Sequence, residues 1–111
     1  MGKTAREILI REAEEKDVSA IYDIGCLCFS DAWRRVTVHH DLMENEHSFY
    51  LVAEEDGFIT GYGCFWFIAD EAQLVNIGVR PCSRRQGIGR MLLQKGIEEA
   101  LGRGMQTMFL E

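Results

Sequence analysis

Val75-Asn76-Ile77-Gly78-Val79-Arg80-Pro81-Cys82-Ser83-Arg84-Arg85-Gln86-Gly87-Ile88-Gly89-Arg90-Met91-Leu92-Leu93 is the stretch on which the fold turns. It reads as a strand, a short loop carrying two arginines, and a helix opened by Gly87-Ile88-Gly89. A helix start has unpaired backbone N–H groups and the positive end of the peptide dipoles. Gly87 and Gly89 let a bulky anion approach that backbone, and Arg84 and Arg85 add charge beside it. Together these predict a pyrophosphate cradle, and so a phosphate-bearing cofactor.

The rest of the chain supplies partners for this strand and helix. Ile8 to Arg11 is a short strand. Asp17 to Phe29 has apolar residues at Val18, Ala20, Ile21, Ile24, Leu27 and Cys28, the spacing of a half-buried helix, with Asp17 suited to the dipole at its start. A weaker helix runs from about Trp33 to Glu46, with Val36, His39 or His40, Leu42 and Met43 as its expected inner side. Ser48 to Glu54 is a strand, Asp56-Gly57 a hairpin turn, and Phe58 to Ala69 the returning strand. Gly61 and Gly63 within it predict bends or close backbone packing. Asp70-Glu71 turns the chain into Ala72–Val79, where Gly78 predicts a bulge. From Gln86 to Leu101 one helical stripe joins Ile88, Leu92, Leu93, Ile97, Ala100 and Leu101, stopped by Gly102 and Gly104. Met105 to Leu110 begins a last strand. The order is β-α-α-β-β-β-α-β. An antiparallel meander followed by a β-α-β crossover predicts an α/β fold with a mixed, mostly antiparallel sheet flanked by helices.

Composition sets bounds. A chain of 111 residues, 47% hydrophobic, fits one globular domain over 1–111. The net charge of −6 disfavours nucleic acid, while the basic residues at 80–90 suit a small polyanion. No apolar run reaches the ~18–20 residues that span a membrane. No long apolar core follows Met1–Arg6, so no signal peptide is expected. Cys26, Cys28, Cys64 and Cys82 form no CxxC pair, and with His39, His40 and His47 they make no zinc set. Reduced thiols in a cytoplasmic protein, with no metal, are the expectation.

Three phosphate motifs compete for the cradle. A P-loop needs GxxxxGK[ST], and no such string is present. A dinucleotide fingerprint needs GxGxxG directly after a strand. Here Leu92 stands where the third glycine belongs, and seven residues separate Val79 from Gly87. The third, R/Q-x-x-G-x-G/A, is matched by Arg84-Arg85-Gln86-Gly87-Ile88-Gly89. That string resembles the signature of the GCN5-related N-acetyltransferases (the GNAT superfamily). The likeness extends to Ile10-Arg11-Glu12-Ala13 with Asp17, Cys28-Phe29-Ser30-Asp31-Ala32-Trp33, Tyr50 to Gly57, Gly61-Tyr62-Gly63, Asp70-Glu71-Ala72, Asn76 to Val79, and Leu110-Glu111. Within the superfamily the chain is similar to the RimI-like branch of ribosomal-protein-alanine N-acetyltransferases.

The resemblance implies the acyl-CoA N-acyltransferase fold, acetyl-CoA as cofactor, and acetylation of a protein N-terminal α-amine. Backbone amides from Arg85 through Gly89 would hold the pyrophosphate, with Arg84, Arg85 and Arg90 near phosphate charge. Ile77, Gly78 and Val79 would pair with the pantetheine arm along an edge left free by the splayed neighbouring strand. The Ile77 N–H would polarise the acetyl carbonyl, and Glu111 would act as base. Trp33, Trp66 and Glu71 would line the acceptor groove. Members of the family continue past the Leu-Glu pair with a V-R-x-S-N segment, a helix holding the tyrosine acid, and two strands. The fold is therefore expected to be truncated in the fifth strand, and a second copy is expected to complete the sheet. Two alternatives stand beside this reading: a weak acetyl-CoA-binding remnant or interaction module, and an acetyltransferase for a small amine.

Overall fold

The computed structural model describes residues 7–110, so the leader reading at Met1–Arg6 and the base assigned to Glu111 lie outside the described residues. Among the described residues there are five strands: β1 (Leu9–Glu12), β2 (Ser48–Glu55), β3 (Phe58–Ile68), β4 (Glu71–Val79) and β5 (Thr107–Phe109). Three α-helices join them: α1 (Val18–Cys28), α2 (Arg35–Glu44) and α3 (Ile88–Gly102). The sheet order is β1-β2-β3-β4-β5, antiparallel throughout except for the parallel β4–β5 pair. The element order is the one expected from the sequence. Asp56 and Gly57 both take positive φ, 54° and 80°, as the hairpin dipeptide requires.

Strand alternation sorts the core onto two faces. On β2, Tyr50 and Val52 face α1 and α2, whereas Phe49, Leu51 and Ala53 face α3. On β3, Tyr62 and Cys64 join the first face, and Phe65 and Phe67 the second. Val18, Ile21 and Ile24 of α1 and Val38 of α2 complete one layer; Ile88, Leu92 and Ala100 of α3 complete the other. Arg11 on β1 ties the α1 side to the sheet. It donates to Asp17 at 2.9 and 3.0 Å and to Glu54 at 2.8 Å.

Three expectations are corrected. First, the inner side of α2 is Val38, Asp41 and Leu42, while Val36 and Met43 are exposed. A carboxylate is inside because buried and half-buried donors meet it there: Tyr50 Oη at 2.7 Å, Trp66 Nε1 at 3.4 Å and Asn45 Nδ2 at 2.8 Å. Second, the stripe of α3 is narrower than expected, since Ile97 and Leu101 are exposed and Gly96 faces the sheet. A Cβ at Gly96 would collide with the Phe65 ring, so the aromatic occupies that part of the helix face. Third, the bulge of β4 is not at Gly78. Cys64 pairs with Asn76 but Phe65 pairs with Leu74, so the extra residue is Val75. Gly78 serves close packing instead: a Cβ there would stand 3.0 Å from Ile24 Cγ2 and from the Tyr62 ring, which lets α1 lie against β4.

Candidate functional site

The short reach of β5 opens the sheet. β5 pairs only with Glu71, Ala72 and Gln73 of β4, so among the described residues no strand pairs with Leu74–Val79 on that side. The start of α3 faces this free edge. Between them lies a groove of about 440 Å³ lined by Ile77, Gly78 and Val79 of β4, by Arg84, Arg85, Gly87, Ile88 and Gly89, and by Cys28 and Phe29 at the end of α1.

The loop geometry explains the glycines. Arg85 and Gly87 both take positive φ, 70° and 78°, and Gly87 is the N-cap of α3. Non-glycine residues seldom adopt that conformation, so the backbone at Arg85 is strained beside the groove. A Cβ at Gly89 would lie 3.9 Å from Val79 Cγ2 and 4.0 Å from Ile77 Cγ2, in the space between helix and strand; at Gly87 nothing lies within 4 Å. The first-turn amides of α3 have no partner within the helix, and Gly87, Ile88 and Gly89 line this opening. Bare backbone, a helix N-terminus and adjoining arginines fit a pyrophosphate.

The arginines and other expected residues divide. Arg84 is folded onto the groove wall, donating from Nε to the Val79 carbonyl at 3.1 Å, with Nη2 3.5 Å from Cys28 Sγ. Arg85 lines the groove, whereas Gln86 faces a separate cavity with Glu55, Phe58 and Ser83. Arg90 is exposed and is not among the lining residues. The Ile88 side chain is buried against the sheet, leaving its N–H at the helix start.

A second space opens on the α1/α2 face. It holds about 300 Å³ and is lined by Ile21, Tyr22, Gly25, Phe29, Asp31, Ala32, Trp33, Val38, Tyr50, Tyr62, Val75 and Asn76. The bulge makes this possible, because an extra residue puts the consecutive Val75 and Asn76 on one face and returns Ile77 to the other. Neighbouring residues of one strand thus open into different spaces, and Phe29 borders both.

Trp33 lines the second space, and Trp66 stacks on it with ring centroids 6.4 Å apart. Trp66 is held in turn by Asp41, so it backs the cavity wall without lining it. Glu71 is not brought to either space. It stands at the opposite end of β4, six residues from Ile77, which is roughly 20 Å of extended chain. Burial pushes the Tyr50 and Tyr62 hydroxyls well above the usual tyrosine range, so both remain protonated donors. Burial likewise raises the Cys64 thiol. Among the described residues no group of three or more His, Cys, Asp or Glu is placed to hold a metal ion. No helix among them is long and apolar enough to cross a membrane. Asp41 and Phe29 went unnoticed as site residues in the sequence. The only available signal for Asp41 was its helical phase with Val38 and Leu42.

The pattern of an acetyltransferase (GNAT) family matches residues 18–111. The chain belongs to the GNAT family. It is 33% identical over 102 residues to the ribosomal protein bS18-alanine N-acetyltransferase of Escherichia coli, covering 92% of this chain and 68% of that protein. It is 31% identical over 102 residues to a protein of Bacillus subtilis described as a putative enzyme of the same name, again across 92% of this chain and 68% of the relative. The crystal structure of the ribosomal-protein-S18-alanine N-acetyltransferase from Escherichia coli superposes with a TM-score of 0.85 at 30% identity. That match covers 94% of this chain and 66% of the other. The chain therefore spans about two-thirds of the length of the relatives it matches.

Proposed function

We propose that this chain transfers the acetyl group of acetyl-CoA to the N-terminal α-amine of a protein, in the manner named for its bS18-alanine N-acetyltransferase relatives. The observation that carries the reading is the junction at Asn76 and Ile77. The groove that fits a pyrophosphate and the aromatic-walled cavity meet across one strand edge. A donor laid in the first and an amine entering the second would meet beside Ile77.

Acetyl-CoA would supply an acetyl group activated as a thioester. The chain's own residues do the rest. Amides of Arg85 to Gly89 anchor the pyrophosphate, and the Arg84 and Arg85 guanidiniums lie at the groove wall near its charge. The backbone of Ile77, Gly78 and Val79 pairs with the amide-bearing arm, and the Ile77 N–H polarises the acetyl carbonyl. Glu111 is assigned as base. An α-amine has a pKa of about 7.7–8, so modest help suffices and kcat/KM should rise with pH through that range. A ribosomal acceptor accords with a cytoplasmic site of action. Among the described residues no strand covers the outer side of β5, which supports pairing of two copies through that edge.

A thiol-release assay with a panel of N-terminal peptides and small amines tests this. Turnover is expected on peptides with a free α-amine. Turnover on small amines alone would reassign the acceptor. Acetyl-CoA binding with no turnover on either would favour a binding module.

A further inference from the structure

Asn76 lines the cavity between α1, the loop after it and β4, and its side chain carries one unanswered polar atom. Asn76 Oδ1 is buried, and among the described residues it is the one buried side-chain oxygen or nitrogen with no hydrogen-bond partner. The rest of the core shows how unusual this is. Buried Asp41 takes hydrogen bonds from Asn45, Tyr50 and Trp66, and buried Asp17 takes them from Arg11 and the Glu14 amide. An acceptor left unmet inside a protein carries its full desolvation penalty. A half-turn of the side-chain amide about its last bond would present this oxygen to the cavity that Asn76 lines. The position is also built. The bulge at Val75 puts Asn76 on the cavity face, next to Ile77 on the groove face.

We propose that the Asn76 side-chain carbonyl receives an N–H of the incoming amine and holds that nitrogen at the strand edge beside Ile77. The inference rests on the acyl-transfer reading and adds a specific acceptor-binding residue to it. The chemistry favours an amide over an acid at this point. A carboxylate would stabilise the ammonium form and keep the nitrogen's lone pair protonated, whereas a neutral carbonyl orients the amine without holding it charged. Tyr22, Asp31, Trp33 and Tyr62 surround the same space and leave room for a small first residue.

Asn76→Leu and Asn76→Asp, compared with the parent chain, test the proposal on a hexapeptide with a free N-terminal alanine. In Asn76→Leu, KM for the peptide should rise about three- to ten-fold, as expected for one lost hydrogen bond between neutral groups. Its kcat should stay within about two-fold, with acetyl-CoA affinity unchanged and Tm equal or higher, because an orphaned buried atom has been removed. A residue with a purely structural role would instead lower Tm. In Asn76→Asp, the apparent pKa in the kcat profile should move upward, since the new carboxylate favours the ammonium. An unchanged peptide KM in Asn76→Leu, a collapse of its Tm, or an unmoved profile in Asn76→Asp overturns the assignment. Trp33 lines the cavity, so tryptophan fluorescence reads peptide binding without any turnover. Peptide binding that weakens in Asn76→Leu while the parent chain never acetylates would sink the acyl-transfer reading and leave Asn76 as an amine-binding residue. Normal acetylation with parental KM in Asn76→Leu would do the reverse.

Discussion

Gly89 shows how much a missing side chain can decide. A Cβ there meets Val79 and Ile77 only at ordinary contact distance, so a larger side chain would not strain the fold but would extend into the groove. Gly89→Leu should therefore lower acetyl-CoA affinity at least ten-fold, about 1.4 kcal/mol, by calorimetry. Its Tm should hold or rise, since leucine is the better helix former by up to ~1 kcal/mol. Parental affinity would show that the cradle lies elsewhere. Asp17 makes the opposite case, a residue whose work is structural. Burial alone would raise its carboxyl, but hydrogen bonds from Arg11 and the Glu14 amide, with the Arg11 charge, outweigh it and hold the carboxyl below the usual range. A depressed folded-state pKa stabilises fully above the unfolded value near 3.8 and is lost as pH falls through the lower folded value. The parent should thus lose stability on acidification below about pH 4, and Asp17→Asn should lack that part of the slope. At neutral pH the substitution should cost about 2–3 kcal/mol by urea denaturation, because Arg11 is left with Glu54 as its one carboxylate besides the Glu12 carbonyl.

At the scale of elements, periodicity was a good guide to existence and a poor one to orientation. Strand alternation over Ser48–Ile68 and the helical spacing of Val18, Ile21 and Ile24 were legible, because each repeats one simple geometry against a flat partner. The face of α2 was not, because its buried side carries Asp41, whose donors come from β2, β3 and the end of the helix itself. α3 misled for a related reason. Its sheet-facing side includes Gly96, which hydrophobic counting ignores and which the Phe65 ring requires. Gly96→Ala gains about 1 kcal/mol of helix propensity but forces a methyl into that ring, so a net loss of roughly 1–3 kcal/mol is expected. A thermal melt checks this; an unchanged or raised Tm would mean that the ring moves aside at little cost.

For the whole molecule, the decisive feature is a sheet that is closed at one end of β4 and open at the other. β5 holds Glu71 to Gln73 and leaves the rest of that edge to the groove. An acidic chain, net −6, presents Arg84 and Arg85 at this opening, whereas Arg80 stacks on the Phe58 ring and Arg90 stands outside the lining. Among the described residues no strand pairs with the far side of β5, and Phe109 and Leu110 are exposed there at 51% and 57%. An unpaired edge beside apolar side chains predicts association of two copies. Light scattering should then report about twice the chain mass of 12.7 kDa at micromolar concentration and above. A species of the chain mass at every concentration would rule this out.

The sequence by itself determined the order of elements, the hairpin at Asp56-Gly57, the family and the glycine-opened start of α3, since each is written in residues close together in the chain. Tertiary structure alone decided which face of α2 is buried, where β4 bulges, and that Asn76 and Ile77 open into different spaces. Those outcomes depend on register and on partners up to dozens of residues away. Hydrogen-bond pairing between β3 and β4, and not any local preference at 75–77, sets where the strand must accommodate its extra residue.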